Sequence, residues 1–273
     1  MMSNMLTVGL SVYRKSSYSH FKQAFESIWD EQSLKPTFIF IVYDGEVPKN
    51  IESYIDQRAL EGLPIKKFTL RENCGLTFTL NFMLERCQTK YFGRMDTDDI
   101  SLPDRFERQI QALEDNIELT LVGSCANDIN SNGNIIGFRQ VPSGHKDIIK
   151  TLPKLNPILH PSVVFRVDKL RQYGLYDVRF RTSQDYELWF RLARLGAQFM
   201  NLDMALMHYR LDDNYKSRKN LKYRLNDVRI KNEGLKKGNF PLYTYVFLIL
   251  PFVVWIIPTK YIALMKKLDP RHN

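Results

Sequence analysis

The sequence predicts an α/β fold in which a Rossmann-like, mostly parallel sheet carries helices on both faces, followed by a C-terminal appendage rich in basic and apolar residues. In the first half of the chain, short β-rich runs alternate with segments of helical apolar spacing. Several of these runs are apolar throughout, as expected for strands covered on both faces. Charge is also divided, because residues 214–273 hold 13 Lys and Arg against 3 Asp and Glu, whereas residues 1–213 hold 26 against 27.

The first half of the chain reads as successive β–α units. We predict strands at 6–13, 37–43, 65–70 and 91–95, and helices at 19–30, 50–60, 75–87 and 104–116. Sheets of this kind bind ligands at the carboxyl ends of their strands. The polar residues at those ends are therefore candidates for binding, namely Tyr13, Asp44, Arg71 and the segment 96–99.

The second half of the chain has an α+β pattern. We predict a strand at 119–124, a hairpin at 129–138 that turns at 131–134, and a helix at 184–196 that Gly196 ends. We place one catalytic domain at about residues 1–213, with halves of about 1–125 and 126–213. Residues 214–273 form the appendage.

Composition excludes several classes of protein. A hydrophobic content of 44% in 273 residues is ample for a buried core, which excludes disordered and fibrous chains. The three cysteines lack the spacing of a metal site, which favours a reducing compartment over a disulfide framework. No signal peptide precedes the first strand, so we expect a cytoplasmic protein. Because the basic residues cluster beside an apolar stretch, we expect a membrane surface and no nucleic acid as the partner.

An acidic segment follows the predicted strand at 91–95. Asp96, Asp98 and Asp99 place three carboxylates within four residues, where they repel one another unless a cation is bound. A hard divalent cation that is completed by phosphate oxygens suits such ligands. The alternative is that Ser101 or Asp104 caps the following helix and that the acidic turn is only structural.

Several motifs occur in an order that resembles a known family. They are RENCGLTFTLN (71–81), YFGRMDTDDISLPDRFERQ (91–109), HPSVVFR (160–166), SQDYELWFRL (183–192) and HYR (208–210). Together with Asp44-Gly45 after the second strand, this succession resembles the inverting glycosyltransferases of family 2, which have the GT-A fold. The resemblance covers residues 6–210.

The resemblance implies a nucleotide-sugar half at residues 1–125. Asp44 would accept a hydrogen bond from the imide N–H of uracil, and Tyr13 and Arg71 would lie on the donor side. Asp96 or Asp98 would lie near the ribose. Asp98 or Asp99 would bind Mn²⁺ or Mg²⁺, and which of the three aspartates ligates the metal stays open.

The resemblance also implies a catalytic base and an acceptor half at residues 126–213. Asp185 matches the family's catalytic acidic position and would remove the proton of the acceptor hydroxyl, with inversion at the anomeric carbon. The commoner Glu-Asp pair is here Gln184-Asp185. The alternative for Asp185 is a helix cap without a chemical role.

Four further side chains are candidates from the same motifs. His160, Gln184 and Trp189 would contact the acceptor, although a Trp among leucines is commonly a core residue. His208, which lies close to Arg210 in the sequence, would ligate the metal or contact a phosphate group. The alternative for His208 is a hydrogen-bonded structural residue.

The appendage predicts contact with a membrane. Nine Lys and Arg against two acids at 214–237 precede an apolar stretch at 240–257. Pro241, Pro251 and Pro258 disfavour a spanning helix, so we expect this segment to lie at or dip into the interface, with Tyr243, Tyr245 and Trp255 as interfacial anchors. Packing on the catalytic domain or on another subunit is the alternative.

The resemblance implies a metal-dependent hexosyltransferase, and the appendage predicts that it lies at the inner face of the cell membrane. It would move a sugar from a UDP-sugar to a saccharide acceptor on a lipid carrier, in the synthesis of a capsule, O-antigen or exopolysaccharide. One alternative is a metal-dependent nucleotidyltransferase or phosphotransferase, although a glycine-rich phosphate loop is missing. The other is a non-catalytic cation-binding module, although the Ca²⁺ loop pattern is missing.

Overall fold

The computed structural model describes residues 5–211, 221–238 and 240–248, and the strands in this part of the chain form one sheet. The strands are β1 (Leu6–Val12), β2 (Phe38–Tyr43), β3 (Ile65–Thr69), β4 (Tyr91–Met95), β5 (Ile100–Ser101), β6 (Leu119–Ile129), β7 (Ile135–Arg139), β8 (Val164–Arg166) and β9 (Gln198–Arg210). The helices are α1 (Tyr18–Trp29), α2 (Lys49–Leu60), α3 (Leu76–Arg86), α4 (Arg105–Asp115), α5 (His145–Thr151), α6 (Val167–Tyr173), α7 (Gln184–Arg194) and α8 (Leu221–Lys237). Two 3₁₀ helices cover His160–Ser162 and Leu242–Leu248.

The sheet begins as a parallel array. The strand order is β3-β2-β1-β4-β8-β6-β9-β5, and β7 pairs with β6 as the predicted hairpin. Strands β3, β2, β1 and β4 are parallel to one another. This is expected, because a crossover helix joins each of these strands to the next one in the sequence. Their carboxyl ends therefore meet at one edge, where the polar segments singled out from the sequence follow them.

The second half of the sheet brings two distant segments together. Strand β8 is antiparallel to both β4 and β6, whereas β6 and β9 are parallel to each other. The short strand β5 pairs with the end of β9 and aligns Ile100 with His208. The acidic segment 96–99 therefore lies beside the carboxyl end of β9, more than one hundred residues further along the chain.

Two hydrophobic cores cover the two faces of the sheet. One contains apolar residues of α1, α2 and α4, and the other contains residues of α3, α5, α6, α7 and α8. The apolar spacing of α1 puts Phe21, Phe25 and Ile28 on one side of that helix, and all three are fully buried. The predicted arrangement of helices on both faces is thus confirmed.

The second half of the chain differs from the prediction in several elements. Strand β6 continues to Ile129, so the boundary predicted near residue 125 falls inside a strand and no break in the sheet separates the two halves. Strand β8 and helices α5 and α6 were absent from the prediction. They are short, three to seven residues each, and such segments carry too little periodicity to be recognised.

Helix α8 lies beyond the boundary predicted near residue 213. It packs against α7, and its residues Ile230 and Leu235 are buried in the same core as Leu188. Of the helices described, none combines the length and the apolar character needed to cross a membrane. Pro251, Trp255 and Pro258 lie outside the described residues, so the prediction for that part of the apolar stretch stays a prediction.

Candidate active site

One cleft brings together residues from both halves of the sheet. Its cavity of about 490 Å³ is lined by the end of β4, the 3₁₀ helix at His160–Ser162, the start of α7 and one side of α8. Four residues singled out from the sequence line it: Asp96, His160, Gln184 and Asp185. This convergence arises because β8 places the 160–166 segment directly beside β4.

The acidic cluster lies where β4 ends. Ligand oxygens of Asp96, Asp98 and Asp99 all lie within 4.8 Å of one another, so three hard oxygen donors are available to one cation. Asp99 is buried, and its Oδ1 accepts a hydrogen bond of 2.8 Å from the backbone N–H of Arg210. Its Oδ2 has no hydrogen-bond partner. Burial, and then the charges of Asp96 and Asp98, raises the pKa of Asp99 well above its ordinary value.

Arg94 forms part of the floor of the cleft. Its side chain is buried, and its Nη2 donates to Oδ1 of Asp96 at 2.5 Å. The guanidinium thereby holds one of the three carboxylates in place and offsets part of the negative charge of the cluster. The motif that contains Arg94 was singled out from the sequence, but the arginine was given no role there, because its position relative to the cleft follows only from the pairing of β4.

Asp44 organises the loop that follows β3. Its buried carboxylate accepts hydrogen bonds from the side chain of Asn73 at 2.9 Å, from the N–H of Cys74 at 2.6 Å and from the N–H of Gly75 at 3.0 Å. A carboxylate has about four acceptor positions, so one is left for a ligand donor. Gly45 has φ +78°, and a Cβ there would lie 2.9 Å from the N of Asn73, so glycine is required at this approach.

Tyr13 and Arg71 follow β1 and β3 at the carboxyl edge of the sheet. Both are exposed, and neither lines the 490 Å³ cavity. The prediction that they contact a donor therefore stays a prediction.

Asp185 lies in the first turn of α7 and faces the cleft. Its Oδ2 accepts a hydrogen bond of 2.6 Å from Nδ2 of Asn156. Burial raises the pKa of Asp185 above its ordinary value, and the hydrogen bond from Asn156 opposes the rise. A carboxylate of raised basicity at the wall of a cleft can accept a proton from a bound hydroxyl. Asn156 was not singled out from the sequence.

The start of α7 is held in an unusual backbone conformation. Ser183, immediately before α7, has φ 55° and is the one non-glycine residue of positive φ in the described part of the chain. Its hydroxyl donates to Asp227 of α8, and Nδ2 of Asn226 donates to the carbonyl of Thr182 at 2.9 Å. Two neighbouring residues of α8 thus fix the turn that presents Asp185.

His160 and Trp189 are both buried, with different consequences. His160 lines the cleft, and its Nε2 lies 2.7 Å from the hydroxyl of Tyr176. Burial, and then the charge of Arg94, lowers the pKa of His160 well below its ordinary value, so the imidazole is neutral near pH 7. Trp189 is fully buried and packs against Phe165, with ring centroids 6.1 Å apart. We therefore do not retain Trp189 as an acceptor-binding residue, because its ring has no exposed face.

His208 lies near the acidic cluster without joining it. The group of metal-capable side chains described above does not include His208, whose Nδ1 lies 3.4 Å from Nδ2 of Asn127. Burial, and then the charge of Arg210, lowers its pKa. Arg210 donates a hydrogen bond from Nε to the backbone carbonyl of Asp98 at 2.7 Å. The HYR segment at the end of β9 thus holds the acidic turn in place. Ligation of a metal by His208 stays a prediction.

The PDRFERQ part of the 91–109 motif has a structural role. Arg105 is fully buried and donates from Nη2 to the carbonyls of Arg94 and Pro161, at 2.9 and 3.0 Å. Gln109 donates to the carbonyls of Val122 and Ser162. These bonds tie α4 to the two segments that form the floor of the cleft. Asp104, at the N-cap of α4, makes no side-chain capping bond, so the capping alternative receives no support there.

Comparisons with known proteins agree with this architecture. The family model described as Glycosyl transferase family 2 matches residues 7–174. The chain is 34% identical over 248 residues to the amylovoran biosynthesis glycosyltransferase AmsE of Erwinia amylovora, which covers 90% of this chain and 92% of that protein. It is 27% identical over 258 residues to the UDP-Gal:alpha-D-GlcNAc-diphosphoundecaprenol beta-1,3-galactosyltransferase of Escherichia coli, which covers 93% and 92%.

Solved structures share the fold at low sequence identity. Residues 1–349 of S. aureus TarS in complex with UDP-GlcNAc match with a TM-score of 0.69 and 12% identity, over 94% of this chain and 77% of that one. The mannosyltransferase PcManGT from Pyrobaculum calidifontis, in complex with GDP-Man and Mn²⁺, matches with a TM-score of 0.63 and 13% identity, over 97% and 79%. The predicted GT-A fold is confirmed. The extent of the family match and the identity to AmsE show that the chain belongs to glycosyl transferase family 2 and is a glycosyltransferase.

Proposed function

We propose that the chain moves a sugar from a UDP-sugar to a hydroxyl of a saccharide acceptor carried on a lipid diphosphate, with inversion, in the synthesis of a surface polysaccharide. One observation carries this proposal: the candidate base Asp185 and the acidic segment, through Asp96, line the same cavity. The names of the relatives from Erwinia amylovora and Escherichia coli support the polysaccharide and the lipid-linked acceptor. Because the chain belongs to this family, we no longer favour the two alternatives, a nucleotidyltransferase or phosphotransferase and a non-catalytic cation-binding module.

The donor side of the proposal rests on the carboxyl edge of the sheet. The remaining acceptor position of Asp44 would accept a hydrogen bond from the imide N–H of uracil. Tyr13 and Arg71 would face the base or the diphosphate. The acidic cluster fits a hard divalent cation, because its three carboxylates converge and the buried Oδ2 of Asp99 has no partner. We assign Asp98, with Asp96 or Asp99, to hold Mn²⁺ or Mg²⁺, with His208 as a further candidate. The chemistry that such a cation supplies is neutralisation of charge on the departing diphosphate.

Asp185 would act as the base. Proton removal requires the carboxylate form, which the hydrogen bond from Asn156 favours. Direct attack by the acceptor hydroxyl, without a protein nucleophile, inverts the anomeric centre, so an α-linked donor would give a β-glycoside. Gln184 and the neutral His160, both on the wall of the cleft, would offer hydrogen bonds to sugar hydroxyls.

The C-terminal segment would hold the enzyme at the inner face of the membrane. In the 3₁₀ helix at Leu242–Leu248, the side chains of Leu242, Tyr243 and Val246 are exposed, whereas Tyr245 packs on the core. Exposed apolar side chains next to a strongly basic segment suit an anionic lipid surface.

The test of this proposal is a screen of nucleotide sugars with the parent enzyme, an alkyl-diphosphate-linked sugar and Mn²⁺. We expect transfer with release of UDP, because the donor diphosphate is the leaving group. Asp185→Asn should lower kcat by about 10³-fold or more and leave UDP binding in place, because only proton removal is lost. Glu187→Gln is the matched control on the same helix, where the carboxylate pairs with Arg191. Turnover of Asp185→Asn at the parent rate would refute the base, and release of pyrophosphate from a nucleoside triphosphate would refute the reaction class.

A further inference from the structure

Two lysines line the same cleft close to the candidate base. Lys154 follows α5, and Lys231 belongs to α8. Lys231 is buried, and its Nζ donates to the backbone carbonyl of Lys154 at 2.8 Å. The side chain of Lys231 thus reaches the backbone of Lys154, although 77 residues separate the two lysines in sequence. We call this part of the cavity wall the lysine corner.

These lysines differ from the two arginines that line the cavity. Arg94 pairs with Asp96, and Arg139 binds both carboxylate oxygens of Asp128, at 2.9 and 3.0 Å. Lys154, by contrast, has no ion pair within the described residues. Burial lowers the pKa of Lys231, and the charge of Asp227 opposes this shift. The carboxylate of Asp227 also accepts a hydrogen bond from the hydroxyl of Ser183. The lysine corner thus contributes the exposed ammonium group of Lys154 and the buried amino group of Lys231, which lies near the carboxylate of Asp227.

The lysine corner lies next to the candidate base. Asn156, two residues after Lys154, donates the hydrogen bond to Asp185. Nζ of Lys231 lies 5.9 Å from the ring centre of Tyr186, the residue after Asp185. Asp185 and the two lysines therefore line one cavity, in which a bound sugar and its substituents would lie.

The other side of the corner meets an apolar surface. The ammonium of Lys154 lies 5.6 Å from the ring centre of Phe247, in the 3₁₀ helix at Leu242–Leu248. On the same 3₁₀ helix, Leu242 is 86% exposed and Val246 is 60% exposed. The lysine corner thus lies between the candidate base Asp185 and the exposed apolar side chains of the 3₁₀ helix.

We propose that Lys154 and Lys231 form a subsite for the diphosphate of an amphiphilic acceptor, in which a sugar is joined through diphosphate to a lipid chain. This inference rests on the proposed function and adds the residues that recognise the anionic linker. The order of chemical groups in such an acceptor, sugar then diphosphate then lipid, matches the order of Asp185, the two lysines and the apolar 3₁₀ helix. Lysine ammonium groups bind phosphate oxygens through charge-assisted hydrogen bonds, and burial strengthens them.

The experiment compares two acceptors that carry the same sugar and the same alkyl chain, one joined through diphosphate and the other through a direct glycosidic ether. For each enzyme variant, kcat/KM is measured on both acceptors, and KM for the UDP-sugar is measured in parallel. We expect Lys154→Ala to lower the ratio of kcat/KM, diphosphate over ether, by about tenfold or more, because a charged hydrogen bond is lost. Lys236→Ala is the matched control, since this lysine is exposed on α8 and does not line the cleft.

Lys231→Met, which keeps the length of the side chain without its charge, should change the ratio in the same direction. Because Lys231 is buried and this variant risks misfolding, Lys154→Ala at the exposed position decides the outcome. An unchanged ratio in Lys154→Ala would overturn the subsite. A rise in KM for the UDP-sugar with an unchanged acceptor ratio would overturn it as well, because the lysines would then serve the donor diphosphate.

Direct binding separates the failure of this inference from that of the proposed function. Calorimetry with the two acceptors should show tighter binding of the diphosphate form by the parent, and Lys154→Ala should remove the difference. If no donor supports transfer while this pattern holds, the proposed reaction fails and the subsite stands. Equal binding of both acceptors by the parent would overturn the subsite whatever the reaction is.

Discussion

At the scale of single residues, the environment of Asp185 decides what this carboxylate can do. Burial raises the pKa of Asp185, which makes its carboxylate a stronger base than that of an exposed aspartate. The hydrogen bond from Asn156 stabilises the ionised form and opposes this rise. The sequence predicted Asp185 through its motif. Neighbouring residues of the same motif were harder to assign, because Trp189 faces the core through contacts with β8 that the local spacing does not reveal.

The pH dependence of activity tests this environment. With Asp185 as the proposed base, transfer needs its carboxylate in the ionised form, so we expect the rate to fall as the pH decreases through its pKa. Asn156→Ala removes a donor to the charged form, which raises that pKa, so the acidic limb of kcat/KM should move to higher pH by about one unit. The measurement is a pH profile of kcat/KM with donor saturating.

The matched control for Asn156→Ala is Gln140→Ala. Gln140 lines the same cavity but contacts Asp203, so its removal should leave the acidic limb at the parental pH. An acidic limb that stays in place in Asn156→Ala, or moves to lower pH, would contradict the role given to this hydrogen bond.

At the scale of elements, the site depends on a contact between α7 and α8. A left-handed backbone at a residue other than glycine costs about 1–3 kcal/mol and persists only when neighbouring groups hold it. Ser183 is held by Asp227, and Thr182 by Asn226. Helix α8 therefore forms part of the candidate site, although the charge distribution of the sequence grouped it with the appendage.

Substitution of Asp227 tests the contact between the two helices. Asp227→Ala removes the acceptor for the hydroxyl of Ser183, so the turn that presents Asp185 should relax. We expect kcat to fall about tenfold, with a smaller change in KM for the donor, because misplaced catalytic groups slow the chemical step. Asp227→Asn keeps an acceptor oxygen and should recover most of the activity. Equal loss in the two variants, at matched thermal stability, would contradict a positioning role.

The elements themselves were predictable to different degrees. Strands β1 to β4 and helices α1 to α4 lie within one residue of their predicted bounds, because their apolar patterns are clear, whereas the two-residue strand β5 was not predicted. In the second half, β8 is only three residues long and lies between β4 and β6. Its pairing depends on the whole sheet, so no local pattern identifies it. Arg94, Asn156 and Lys231 were also missed, because their positions in the cleft follow from contacts between elements far apart in the sequence.

At the scale of the whole molecule, the site lies where the two halves of the sheet meet. The acidic segment after β4 is supported by β9 through Arg210, and the cleft wall comes from α7 and α8. The three carboxylates of the acidic cluster converge at the end of β4, whereas Lys154 and Lys231 line the cavity together with Asp185 and Asp227. The proposed cation site and the proposed diphosphate subsite would thus lie at different places along one cleft.

The most direct test of the account is a calorimetric titration of UDP into the parent protein and into Asp98→Ala, with Mn²⁺ and again with chelator. Asp98 is exposed, so its loss should spare the fold, and Glu85→Ala, an exposed acid of α3, is the control. We expect Mn²⁺ to tighten UDP binding by the parent and by Glu85→Ala, and Asp98→Ala to lose about tenfold or more of this effect. Equal affinity of the parent for UDP with and without Mn²⁺ would contradict it.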